Sequence, residues 1–154
     1  MLTAATTYEW LLAVHVLAAV VWVGGAAATQ VYGIRARLAG PGRVADFARD
    51  AEWIGTRVFI PSSLLLVVFG FLLISEGSWD YEFWIVAALA MWAGSFLTGA
   101  LFLGPESGRI AKLSDEHGAE SDEVQRRIAR IFLVSRIELL FLILIVLDMT
   151  LKPG

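Results

Sequence analysis

Four stretches of this chain are apolar over about the length that crosses a bilayer: residues 8–32, 58–75, 83–103 and 131–151. A hydrocarbon core takes roughly 20 residues of helix, and only helices or closed barrels satisfy their backbone groups inside it. The pattern predicts an all-α integral membrane protein, a single domain over residues 1–154, folded as an up-and-down four-helix bundle. A signal-peptide reading of the first stretch fails, because no Lys or Arg precedes Arg35 and the apolar run is too long. Composition agrees: 58% of the 154 residues are hydrophobic, against roughly 45–50% in soluble domains. There is no Cys, so the chain offers no disulfide, thiolate nucleophile or thiolate metal ligand.

Charge gives the expected orientation. Arg35, Arg37, Arg43, Arg49 and Arg57 lie between stretches one and two, and Arg109, Lys112, Arg126, Arg127, Arg130 and Arg136 lie after the third or just inside the fourth. The turn SEGSWDYE carries Glu76, Asp80 and Glu82 and no base. Eleven of the twelve basic residues, all but Lys152, thus fall on one side. The positive-inside rule makes that side cytoplasmic and places both termini outside. In GRVADFARDAEWIGTRVF, Val44, Phe47, Ala48, Ala51 and Ile54 recur at helical steps, and Val124, Ile128 and Ile131 do so before the fourth stretch. Helices 2 and 4 are therefore expected to extend into the cytoplasm, with Ser121 as an N-cap and loops at RLAGPG and EHGAES. Pro61 is expected as a tolerated kink.

Polar groups at membrane depth are costly and so are candidates for function. At 1.5 Å per residue, His15, Met91, Asp148 and Met149 fall at similar depths from the outer side. His15 admits a structural role, donating to a backbone carbonyl or to Asp148. It also suits an axial ligand to haem iron, with Met91 opposite, or a copper site with Met91 and Met149. His117 lies in the loop at the other side, so one chain cannot supply two His ligands to one haem. Trp22, Trp92, Gly24 and Gly25 would shape a porphyrin pocket; the glycines, with Gly70, Gly94, Ser95, Thr98 and Gly99, equally allow close helix packing. Gln30, Arg57, Arg136 and Glu138 form a deeper polar group. Arg136 and Glu138 point to different faces, so Glu138 needs Arg57, Gln30 or water, and the set reads as polar glue. No catalytic triad, phosphate loop or zinc spacing is present, and nothing points to nucleic acid.

The first-helix sequence HVLAAVVWVGG, His with Trp seven residues on and Gly close behind, resembles a signature of small bacterial membrane proteins. These include the membrane protoporphyrinogen oxidase family, the membrane domain of copper-resistance D proteins, and, most closely, a family of predicted integral membrane proteins of unknown function. Pro61 followed by Gly70, and the ending Leu151-Lys152-Pro153-Gly154, are similar too. The resemblance to the oxidase family implies haem b on His15, although Ala88 stands near that family's helix-3 Lys; the copper-resistance likeness implies copper handling. The expectation is a haem-binding membrane protein with a redox or porphyrin-related role. The alternatives are a copper-handling protein and a cofactor-free accessory or assembly protein, in each case a homodimer or the partner of another membrane protein in the bilayer.

Overall fold

The computed structural model describes residues 6–153; the first five residues of the expected domain and the closing Gly154 lie outside the described residues. Four long helices account for nearly all of it. They are α1 (Thr7–Ala39), α2 (Pro41–Glu76), α3 (Phe83–His117) and α4 (Asp122–Leu151). Helices α1, α2 and α3 are long and apolar enough to cross a membrane. Helix α4 is interrupted by Arg136, Glu138 and Asp148, yet its outward positions Leu140, Leu144 and Leu147 are exposed and apolar.

The helix ends follow from local chemistry. Thr6 and Glu9 form a reciprocal capping box at the start of α1: Glu9 N donates to Thr6 Oγ1 at 3.3 Å and Thr6 N donates to Glu9 Oε2 at 2.7 Å. The chain reverses between α1 and α2 at Gly40 alone, whose φ of 112° is open to glycine, and Pro41 starts α2 where its missing N–H costs nothing. The RLAGPG loop is thus mostly helical. The EHGAES loop shortens to 118–121, and Ser121 takes the N-cap position without the expected side-chain bond; its buried hydroxyl has no partner among the described residues. Gln125 instead donates to the Ala119 carbonyl at 2.8 Å.

All four helices, and not only α2 and α4, run past the apolar stretches at the basic end. The sequence hides this because RARLA and ESGRIAKLSDEH lose hydropathy without losing helical spacing. There the helices enclose a core of the kind found in soluble bundles: Ala36, Val44, Ala48, Ile110, Ala111, Val124, Ile128 and Phe132 are buried together. Glu106, its side chain only 7% exposed, accepts from Arg127 at 2.7 Å, while Arg127 also holds Glu123. The Glu106 hydrogen bond raises the pKa of Arg127 above arginine's usual value. At the opposite end α1 pairs along α2 and α3 along α4. Lys152 closes the structure by laying its Nζ over the rings of Trp79 and Trp84, at 4.6 and 5.1 Å.

Candidate functional site

Three of the helices widen at one level. Residues Val20–Gly24 of α1, Gly55–Phe59 of α2 and Gly99–Leu103 of α3 each form a π-turn. In α2 and α3 the cause is a shared pattern, Gly-x5-Pro: Gly55 to Pro61 and Gly99 to Pro105. Proline has no N–H and its ring clashes with the carbonyl four residues back. Ile60 N accordingly bonds Gly55 O and Gly104 N bonds Gly99 O, each five residues back, just before the proline. The expected kink at Pro61 is therefore a widened turn. Helix α1 has no proline; its wide turn coincides with Gly24 and Gly25. The turn of α2 touches those of both α1 and α3. Such turns are rare and concentrate at functional sites.

Where the turns meet, the helices enclose a cavity of about 130 Å³ bordered by all four. Trp22, Phe59 and Phe96 supply aromatic wall, Thr29, Gln30, Ser63, Ser95, Ser107 and Ser135 supply polar atoms, and Glu138 is the one charged lining residue among the described residues. Several hydroxyls are already satisfied. Thr29 Oγ1 donates to Gly25 O at 2.8 Å, Ser135 Oγ donates to Phe132 O at 3.1 Å, and Ser63 Oγ accepts from Trp92 Nε1 at 2.9 Å. Ser95 differs: it is 3% exposed, its hydroxyl lies beside the Glu138 carboxyl, and it makes no other side-chain hydrogen bond among the described residues. Ser95 and Glu138 also border a second space, a groove of about 440 Å³ between α3 and α4 lined by Ala90, Met91, Gly94, Thr98, Val134, Ile137 and Phe141.

A family model described as "Predicted integral membrane protein (DUF2269)" matches residues 9–153. The chain belongs to the DUF2269 family. No curated protein and no solved structure matches it. That the DUF2269 protein is an integral membrane protein agrees with its three long apolar helices.

The residues singled out in the sequence fall in three places in this DUF2269 protein. Trp22, 6% exposed, is buried with Leu142 and Ile145, and Met91, Trp92, Met149, Leu66 and Phe59 pack around them. Both methionines thus serve an apolar core, a use their flexible thioethers suit. His15 lies at the α1–α2 interface, where its Nδ1 donates to the Leu66 carbonyl at 2.8 Å and its ring rests on Gly70. It borders neither cavity, and Met91 borders only the groove. Asp148 is near the end of α4, with one buried carboxylate oxygen lacking a partner among the described residues. No group of three or more His, Cys, Asp or Glu there could hold a metal.

The glycine expectations also divide. Gly25 is met by the Phe59 ring, whereas Gly24, Gly94 and Gly99 have open space beside them among the described residues. Among the described residues Arg57, Arg136 and Glu138 form no ion pair, and the Glu138 carboxyl lies instead against the Ser95 hydroxyl of α3. The cavity itself escaped the sequence reading. The repeated Gly-x5-Pro in α2 and α3 was the signal that could have located it.

Proposed function

We propose that this protein is a four-pass membrane protein that binds a lipid-soluble ligand in the cavity at the level of its three π-turns. The observation that carries the reading is the convergence of those turns on one space in which Glu138, its one charged lining residue among the described residues, meets the buried Ser95 hydroxyl. Widened turns stretch the local hydrogen-bonding pattern, and a helix keeps them where the altered geometry serves a site. Concave, mainly apolar spaces with a few convergent polar groups are the usual form of a small-molecule site.

The geometry gives the haem reading little support. His15 and Met91 border no common space, and the His15 imidazole is engaged between α1 and α2. Copper on Met91 and Met149 fares no better, since both side chains pack into the Trp22 core. In the proposed topology α4 is the fourth span and both termini lie outside the bacterial inner membrane, which the placement of eleven of twelve basic residues supports. Because the chain has no Cys, single cysteines at Ser78 and Gly118 report the topology cleanly: a membrane-impermeant thiol reagent added outside intact cells should label the first and not the second.

Photolabelling tests the cavity. A diazirine-bearing alkyl probe in liposomes should label peptides containing Phe59 and Ser135, and excess unlabelled probe should compete that labelling away. Labelling confined to outward residues such as Leu64 and Leu140, and not competable, would overturn the reading.

A further inference from the structure

We infer that the cavity and the α3–α4 groove form one site for a cationic amphiphile, its ammonium group against Glu138 and its alkyl chain in the groove. This rests on the reading of the cavity as a ligand site and adds the chemistry of the ligand and its route of entry.

Ser95 and Glu138 are common to both spaces, so they form the wall between the interior and the groove. Glu138 is the one charged residue lining either space among the described residues, and no Arg or Lys there pairs with it. A carboxylate held in apolar surroundings without a counter-charge is costly, and a bound cation removes that cost. Beside it the buried Ser95 hydroxyl meets the same carboxyl from α3 and keeps its oxygen lone pairs for a donor. An ammonium group carries three N–H donors, enough to serve both the carboxylate and a hydroxyl oxygen.

The aromatic wall favours the same charge. Trp22, Phe59 and Phe96 border the cavity, and ring faces attract cations, the more so away from water. Anions find nothing there to match: no basic side chain lines either space among the described residues.

The groove accounts for the chain. Ala90, Gly94 and Thr98 follow one another at four-residue steps along α3, and Gly94 leaves open space where a larger side chain would stand. Val134, Ile137 and Phe141 of α4 form the facing wall. An amphiphile would therefore enter sideways from the bilayer, head first, without crossing the basic end.

The test uses the full chain in phosphatidylcholine liposomes, whose neutral surface does not itself concentrate cations. Dodecylamine, dodecanol and dodecanoic acid compete with the diazirine alkyl probe, each at known mole fraction in the membrane. Dodecylamine should displace the label at about tenfold lower mole fraction than dodecanol, with dodecanoic acid weakest. Glu138→Gln should bring amine and alcohol together, and Gly94→Leu should weaken all three by filling the groove. Equal displacement by amine and alcohol in the unaltered protein, or an amine preference that survives Glu138→Gln, would overturn the inference and leave the cavity reading standing. Absence of any competable label would overturn both.

Discussion

The ring of Phe59 lies against Gly25, where a Cβ would come within 2.7 Å of the Phe59 Cε1 atom. The wide turns of α1 and α2 meet at this contact, and Phe59 is also a wall of the cavity. Gly25→Leu must push the ring inward and should cost about 1–3 kcal/mol, the usual range for overpacking. Gly24→Ala, with open space beside it, should be neutral or slightly stabilising, since Ala is the better helix former by up to roughly 1 kcal/mol. Denaturant titration in mixed micelles compares the two; equal losses would contradict this account of the contact.

The His15 bond to the Leu66 carbonyl joins α1 to α2 within the apolar half. Interhelical hydrogen bonds in membranes average about 0.6 kcal/mol. His15→Leu should therefore cost on the order of 1 kcal/mol or less in the same titration and leave photolabelling of the cavity unchanged. Loss of cavity labelling with stability intact would make His15 part of the site.

At the basic end, Glu106 is buried while Arg127 and Arg109 both reach it, at 2.7 and 3.5 Å. The nearer arginine is the better shielded from solvent. Arg127→Ala leaves a buried carboxylate short of its main partner and should lower the unfolding midpoint several times more than Arg109→Ala. Because Glu106 raises the pKa of Arg127, this contribution is fully present below arginine's ordinary pKa and is lost only as pH rises beyond that range. Midpoints of the two variants falling together would place the stabilisation elsewhere.

Lys152 over Trp79 and Trp84 fastens the end of α4 to the turn between α2 and α3. Lys152→Ala should cost about 0.5–1 kcal/mol, typical of an exposed cation–π contact, and shift tryptophan emission. An unchanged emission spectrum would mean that the contact does not persist in the membrane.

Much of the helical architecture was legible, because a run of about 20 apolar residues leaves a chain few choices. The amphipathic face of Val44, Ala48, Val124 and Ile128 was legible for the same reason: periodicity reports burial directly. The site was less so. Depth arithmetic grouped His15 with Met91 and Met149, but depth says nothing of which way a side chain points around the helix. Each π-turn adds a residue to a helical turn and so rotates the rest of its helix, which further defeats a count made at about 3.6 residues per turn. In the sequence Ser95 reads as a packing residue and Glu138 as glue, with nothing to link them. Only the approach of α3 to α4 joins them.

The central claim, that the cavity is a ligand site and not a void, is tested most directly by Trp22 fluorescence. The Trp22 signal is obtained as the difference between the protein and its Trp22→Phe variant, and it is followed while a dibrominated alkane is titrated into the liposomes. The account predicts saturable quenching that Ala100→Leu abolishes by filling the cavity, with stability kept or raised because a void has been filled. Quenching that rises linearly with membrane bromine and is indifferent to Ala100→Leu would contradict it.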